Sequence, residues 1–177
     1  MQQRLEIFKG ILEPMERGPL VDLGAGHCKF SQIAHDMGFA VTSIDARTDR
    51  VPSDLPCPFI QQDVKDADLT PYSIVLILGL LYHLTLEDQV ALLAKCAGKT
   101  VIVDTHTARS ADVNRSGYWG QDWEEVDSPT SSAGNSKSFW HTHASLRSLF
   151  ADHGFQAEEI LPEHAPGRAF WVLKPAA

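Results

Sequence analysis

The stretch Val21–Ala46 reads VDLGAGHCKFSQIAHDMGFAVTSIDA and decides the fold class. An apolar, strand-like run is followed by a turn with two glycines, Gly24 and Gly26, and then by a helical pattern that Gly38 closes. A second apolar run ends at Asp45. This order predicts two parallel strands joined by a helix in a right-handed βαβ unit.

The rest of the chain continues the alternation of strands and helices, which predicts an α/β fold. Residues 46–57 are rich in proline, so the connection there is predicted to be abbreviated. Residues 105–138 are predicted to be a long polar loop, acting as a lid or as part of an acceptor site. The other predicted strands are Pro58–Gln62, Ser73–Leu78, Thr100–Asp104, and a hairpin of Phe155–Leu161 and Ala169–Leu173 across Pro162–Gly167. The other predicted helices are 2–16, Leu86–Ala97 and one capped by Thr142.

Length and charge narrow the function classes. A chain of 177 residues with 44% apolar residues fits a single domain with a sizeable core, and we expect one domain over residues 1–177. The 15 basic residues are outnumbered by 23 acidic residues, and no basic run is present. Unaided binding to nucleic acid is therefore not expected.

The cysteine pattern and the lengths of the apolar runs indicate the cellular location to expect for the protein. Cys28, Cys57 and Cys96 show no CxxC spacing, and no charged-then-apolar leader precedes them, so we expect reduced thiols in a cytoplasmic protein. The longest apolar stretch, Ile74–Tyr82, is far shorter than the roughly 20 residues that span a bilayer. No membrane partner is predicted, and the oligomeric state is left open.

The glycine turn lies where a parallel strand ends and a helix begins, the position at which open α/β sheets bind ligands. A dinucleotide fingerprint requires GxGxxG, but Lys29 occupies the sixth position. The sequence resembles instead the class I S-adenosylmethionine-dependent methyltransferases, whose first motif is D-x-G-x-G-x-G. VDLGAGHC matches it, except that Cys28 stands at the third glycine.

This resemblance implies a fold and a cofactor. The implied fold is a Rossmann-like, doubly wound sheet that is mostly parallel, with an antiparallel C-terminal hairpin strand and the strand order 3-2-1-4-5-7-6. The implied cofactor is S-adenosylmethionine. Asp22 would lie near its methionine amine, and Gly24, Ala25 and Gly26 would pack against its ribose and methionine parts.

Two acids follow the second and third predicted strands. Asp45, beside Ala46, can accept hydrogen bonds from two vicinal ribose hydroxyls, although nicotinamide enzymes use the same acid. The stretch QQDV resembles the family motif in which an acid meets the adenine amino group, which implies Asp63 for that contact and the backbone of Val64 for the ring. An aspartate that caps a short helix explains Asp63 nearly as well.

The stretch VLILGLLYHLTLEDQ resembles the strand end that flanks the sulfonium in small-molecule and tRNA-modifying methyltransferases. The resemblance implies that Gly79 and Leu80 contact the cofactor. His83 follows directly and is the first choice for a general base, with a capping role as the alternative. Asp104 and His106, after the fifth strand, are further candidates, or they are polar residues at a strand end.

The residues that could form a metal site are Asp104, His106, His141 and His143. The two later histidines flank a predicted helix cap rather than sharing one face of a strand, so no metal site is predicted.

The predicted function is transfer of a methyl group from S-adenosylmethionine to an oxygen or nitrogen of a small-molecule acceptor. Two alternatives stay open. The LLYHL turn also resembles enzymes that add a methyl or carboxymethyl group to wobble uridine in tRNA, although those carry extra basic surface. Cys28 in the glycine turn would also suit a catalytically inactive, methyltransferase-like binding protein. A hydride-transfer enzyme is a more distant alternative.

Overall fold

The computed structural model describes residues 2–126, 133–163 and 167–177, in which the strands form two sheets. The strands of the larger sheet are β1 (Pro19–Leu23), β2 (Ala40–Asp45), β3 (Phe59–Gln61), β4 (Ile74–Leu78), β5 (Thr100–His106), β9 (Phe155–Ile160) and β10 (Arg168–Pro175). The smaller sheet contains β6 (Val113–Arg115), β7 (Tyr118–Glu124) and β8 (Lys137–His141). The helices are α1 (Gln2–Leu12), α2 (Lys29–Asp36), α3 (Leu86–Lys95) and α4 (His143–Asp152), with 3-10 turns at Val64–Asp66 and Leu81–His83.

The larger sheet has the predicted topology. Its order is β3-β2-β1-β4-β5-β10-β9, which becomes 3-2-1-4-5-7-6 when its seven strands are numbered along the chain. The first five strands pair in parallel, and β10 runs antiparallel to both β5 and β9. The predicted mostly parallel sheet with an antiparallel C-terminal strand is therefore confirmed. Residues 164–166 of the predicted hairpin turn lie outside the described residues.

Helices cover both faces of this sheet. Apolar side chains of α1 and α2 pack on one face, and those of α3 and α4 pack on the other. All five residues of β4 are buried, because helices lie above and below it. As predicted, no helix joins β2 to β3. Among the described residues, no helix is long and apolar enough to cross a membrane.

The N-terminal helix is shorter than predicted. It ends at Leu12, whereas the apolar spacing predicted a helix over 2–16. Pro14 explains the difference, because proline lacks a backbone N–H and disfavours the helical conformation of the residue before it. The apolar spacing continues beyond Leu12, but the residues there are not helical.

The prediction of a long loop over 105–138 is wrong in its described parts. β6, β7 and β8 form an antiparallel three-stranded sheet there, while residues 127–132 lie outside the described residues. Ser116 and Gly117 form a two-residue turn with φ values of 52° and 93°, the conformation that tight hairpins require. The small sheet is attached to the rest of the fold through β8, where Phe139 N donates at 3.1 Å to Leu84 O, in the short segment between the second 3-10 turn and α3.

Candidate active site

A cavity of about 400 Å³ lies at the carboxyl ends of the parallel strands, where the strand order reverses between β1 and β4. It brings together most of the residues predicted to bind the cofactor, and His83 with them. The predicted site residues that line it are Gly24, Ala25, Gly26, Asp45, Ala46, Asp63, Val64, Gly79, Leu80 and His83. Asp22, Asp104 and His106 are not among its lining residues.

The turn after β1 has a left-handed backbone at Gly24, Gly26 and Cys28 and packs closely against Leu80. Gly24 and Gly26 have φ values of 67° and 53°, and a Cβ on Gly24 would lie 3.0 Å from Cδ1 of Leu80. Cys28 replaces the third glycine of the motif but keeps a left-handed φ of 54°. This departure from the motif therefore leaves a left-handed turn in place, at a strain cost of roughly 1–2 kcal/mol.

Asp45 joins this turn to the end of β2. Its Oδ2 accepts a hydrogen bond from Gly26 N at 2.8 Å, and its Oδ1 accepts one from Arg47 N at 2.9 Å. Each carboxylate oxygen carries two lone pairs, so each can accept a further hydrogen bond. Asp45 therefore fixes the turn and still presents acceptors to the cavity.

Asp63 caps a short helical turn, as the sequence suggested, and lies at the cavity. Its Oδ1 accepts from Lys65 N at 3.0 Å and caps the 3-10 turn Val64–Asp66, while the residue also lines the cavity. Nζ of Lys65 lies 3.7 Å from the other carboxylate oxygen. The capping bond holds Asp63 in place at the rim of the cavity.

Asp22 lies inside the fold rather than in the cavity. It is 2% exposed, and Ser31 Oγ donates to its Oδ2 at 2.6 Å. Ser43 Oγ donates in turn to Ser31 Oγ at 2.7 Å. Burial raises the pKa of Asp22 to about 7, against a partly offsetting hydrogen bond from Ser31. This placement does not support the predicted contact with a methionine amine, because the carboxylate is enclosed by the strands and helix that form the turn.

The raised pKa of Asp22 predicts a pH-dependent stability. The unfolded chain releases this proton near the ordinary pKa of 3.8 and the folded chain releases it near 7, so the unfolding free energy falls as pH rises through that window. We expect Asp22→Asn to stabilise the protein by on the order of 2–4 kcal/mol at pH 8 and by much less at pH 4. Urea unfolding at both pH values measures this. Asp36→Asn is the matched control, since that side chain is 77% exposed, and parallel pH profiles of wild type and Asp22→Asn would contradict the prediction.

His83 is held by a carboxylate that the sequence analysis missed. Its Nδ1 lies 3.1 Å from both Oε1 and Oε2 of Glu125, whose side chain is 4% exposed. Ser138 Oγ donates to the same Glu125 Oε1 at 2.7 Å. An ionised carboxylate only accepts hydrogen bonds, so Nδ1 of His83 carries a proton, and in the neutral ring the lone pair is then on Nε2. This is the tautomer that a general base requires.

Asp104 does not fit the predicted role of a base. It is fully buried, accepts from Arg168 Nε at 2.7 Å and from Arg168 Nη2 at 3.3 Å, and forms an ion pair with Arg4. A carboxylate held by two guanidinium groups is stabilised in its charged form and is a poor proton acceptor. It instead positions Arg4 and Arg168, which both line the cavity.

His106 is likewise held away from the cavity. Its Nε2 accepts from Arg168 Nη1 at 3.1 Å, and its ring stacks on Trp140 at 5.3 Å and 11°. Burial, and then the charge of Arg168, lower its pKa to about 4, so the ring is neutral at pH 7. An imidazole with such a low pKa is a weak proton acceptor, and its Nε2 is already occupied, so His106 does not fit the predicted base.

The histidines weighed for a metal site have other partners. His141 is buried, with Nε2 2.8 Å from Gln89 Oε1 and Nδ1 2.9 Å from Ser145 Oγ. His143 pairs with Glu159. Within the part of the chain that the structure describes, no three His, Cys, Asp or Glu side chains form a metal-binding group.

Comparisons with known proteins agree with this geometry. No protein-family model matches the chain, and no curated protein matches it in sequence. The N-terminal domain of EvdMO1, solved with S-adenosylhomocysteine and D-fucose, superimposes with a TM-score of 0.77 at 19% identity, over 100% of this chain and 84% of that one.

Two further solved structures are similar over 98% of this chain. The Burkholderia thailandensis 1,6-didemethyltoxoflavin-N1-methyltransferase, with its acceptor and S-adenosylhomocysteine bound, has a TM-score of 0.68 at 14% identity over 76% of its length. The glycopeptide N-methyltransferase MtfA with S-adenosylmethionine has a TM-score of 0.65 at 16% identity over 93% of its length. The chain therefore has the fold of the class I S-adenosylmethionine-dependent methyltransferases, as its motifs predicted.

Proposed function

We propose that this protein is an enzyme that transfers a methyl group from S-adenosylmethionine to an oxygen or nitrogen of a small-molecule acceptor. One observation carries the proposal. The glycine turn, Asp45, Asp63 and Gly79 come from four consecutive strand ends and line one cavity. This is the order in which the methionine, ribose and adenine parts of the cofactor would need them.

The lining residues fit this cofactor. Asp45 retains lone pairs for two ribose hydroxyls, and Asp63 retains them for an exocyclic amine. Gly24 and Gly26 both line the cavity and carry no side chain, so the methionine part of the cofactor could approach their backbone closely. When bound, S-adenosylmethionine supplies an electrophilic methyl group.

The chain contributes alignment and proton removal. His83 lies on the 3-10 turn directly after Gly79 and Leu80, so it faces the same cavity from the strand end beside the expected sulfonium. Its Nε2 accepts the proton of the acceptor hydroxyl or amine, and Glu125 stabilises the imidazolium that results. The attacking atom forms the new bond to carbon while the methyl–sulfur bond breaks. A positioned base contributes about 10²–10⁴ to the rate of such reactions.

The compared proteins support a small acceptor. EvdMO1 was crystallised in the presence of D-fucose, the toxoflavin enzyme was solved with 1,6-didemethyltoxoflavin bound, and MtfA is a glycopeptide N-methyltransferase. A tRNA acceptor receives less support, because this chain carries a net charge of -8 and no basic run. We further propose that residues 1–177 act as one domain, with the small β6–β8 sheet on the acceptor side. A cytoplasmic location remains a prediction.

Calorimetric titration with S-adenosylmethionine tests the proposal. We expect saturable binding at micromolar ligand, followed by release of S-adenosylhomocysteine when a panel of small hydroxyl and amine compounds is added. Absence of heat at millimolar ligand would contradict the enzyme and favour an inactive, methyltransferase-like protein. NADH serves as the control ligand, and we expect no binding of it.

A further inference from the structure

The cavity is basic although the protein is acidic. The chain has a net charge of -8. Six of the cavity's lining residues are lysines or arginines and only two are acids. The basic residues are Arg4, Lys29, Arg47, Arg50, Lys65 and Arg168, and the acids are Asp45 and Asp63. This excess of positive charge favours an anionic ligand.

Arg168 lies at the end of the cavity opposite the expected adenosine. It begins β10, which is separated from β2 by three strands of the sheet. Four inter-strand spacings of about 4.8 Å place these two strands roughly 19 Å apart. The Arg168 side chain reaches back over β4, where a Cβ on Gly79 would lie 2.9 Å from its Nη2. Arg168 thus borders the place where an acceptor would meet the sulfonium.

The guanidinium of Arg168 is fixed and still has donors to offer. Nε and Nη2 donate to the buried carboxylate of Asp104, and Nη1 donates to Nε2 of His106. Of the five N–H bonds of an arginine, one on Nη1 and one on Nη2 have no other hydrogen-bond partner among the described residues. Two N–H bonds on the terminal nitrogens match the two oxygens of a carboxylate.

Arg168 shares its carboxylate partner with a second arginine. Asp104 is one carboxylate contacted by two guanidinium groups, since Arg4 also pairs with it. Burial and the neighbouring Arg168 lower the pKa of Arg4 to about 10, so Arg4 is charged at pH 7. His106, which contacts Arg168, is neutral at that pH. Asp104 thus supplies one negative charge to two arginines that line the cavity.

We propose that the acceptor carries a carboxylate and that Arg168 binds this carboxylate beside the methyl-transfer position. This rests on the proposed function and specifies its substrate class. The reacting hydroxyl or amine is a second group on the same molecule, presented to His83. Arg168 is thereby a specificity-determining residue, held in place by Asp104.

The test is binding of matched acids and amides to the protein saturated with S-adenosylhomocysteine. The probe pairs are 4-hydroxybenzoate with 4-hydroxybenzamide, and glycolate with glycolamide, which differ in charge but little in shape. We expect each acid to bind about 10–100-fold more tightly than its amide, as a bidentate charged hydrogen bond predicts. Arg168→Gln should reduce this preference to about threefold or less without weakening S-adenosylhomocysteine.

Arg109→Gln is the matched control. Arg109 is exposed and does not line the cavity, so its loss should leave the preference for acids unchanged. If Arg168→Gln fails to fold by circular dichroism, Arg168→Lys keeps the ion pair with Asp104 and should still lower the preference several-fold, because the two-donor fork is lost.

Equal binding of each acid and its amide, including no binding of either, overturns the proposal. So does an Arg168→Gln variant that weakens S-adenosylhomocysteine and keeps the preference, because Arg168 would then hold the methionine carboxylate of the cofactor. Failure of the proposed function itself is distinguished by a wild-type protein that binds neither S-adenosylmethionine nor S-adenosylhomocysteine.

Discussion

Asp45→Ala is expected to weaken S-adenosylmethionine binding by more than about 100-fold. Two hydrogen bonds from ribose hydroxyls to a carboxylate would be lost, each worth about 1.5–3 kcal/mol. The substitution also removes the acceptor for Gly26 N and Arg47 N, which loosens the glycine turn. Isothermal titration calorimetry of the variant and the wild type measures the change in dissociation constant.

The controls separate binding from folding. Asp49→Ala makes the same chemical change on an exposed residue four positions further along and should leave the dissociation constant unchanged. Asp45→Asn keeps one acceptor oxygen and the size of the side chain, so its affinity should fall between those of the wild type and Asp45→Ala. If the Asp45→Ala variant is folded and its dissociation constant is within threefold of the wild-type value, Asp45 does not contribute to cofactor binding.

His83→Ala is expected to lower kcat for a hydroxyl acceptor by about 10²–10⁴, with the dissociation constant for S-adenosylmethionine unchanged. The physical reason is loss of the only group we place to accept the acceptor proton. The acceptor used is whichever compound releases S-adenosylhomocysteine in the screen described above. Steady-state rates and calorimetry on the same preparations give the two quantities.

Glu125→Gln distinguishes a positioned base from a histidine with a structural role. Glutamine keeps an acceptor for Nδ1 but cannot stabilise the imidazolium, so we expect kcat to fall about 10–100-fold and the pH–rate profile to shift. His35→Ala, on the solvent side of α2 with a side chain 42% exposed, is the control for loss of a histidine. Equal activity of His83→Ala and His35→Ala would show that His83 is not the general base.

The cofactor half of the site could be predicted because its signals are local. Gly24, Gly26 and Asp45 fall within one βαβ unit, where the turn and the strand end fix their positions relative to each other. Gly79 follows a buried apolar run that can only be a central strand. The order of the strands in the sheet can then be predicted, because few topologies are possible for a chain of alternating strands and helices.

Two acids were misplaced, each for its own reason. Asp104 was expected at the end of its strand, but β5 continues to His106, so the carboxylate lies within the sheet and is buried. Asp22 lies inside β1, one residue before the strand ends at Leu23, and was assigned to the cofactor only through the resemblance to a family motif. Asp45 is the last residue of β2 and reaches the cavity.

The acceptor half was missed because its contacts join distant parts of the chain. Glu125 is 42 positions from His83, and Arg4 is 100 positions from Asp104. The spacing of residues along the sequence does not indicate which distant residues are in contact. The Ser116–Gly117 dipeptide between apolar and aromatic residues was the one local signal of the small sheet, and it is of the kind that marks tight hairpins.

The attachment of the small sheet has a consequence for how this protein could diversify. Residues 24–84 supply most of the lining of the cavity, whereas the carboxylate behind His83 belongs to the segment 107–141 between β5 and α4. We expect that exchanging this segment would change the proton-handling partner and the acceptor's surroundings together. Gly134 and Asn135 of the same segment also line the cavity, so the exchange would alter that part of its wall and leave the glycine turn, Asp45 and Asp63 in place.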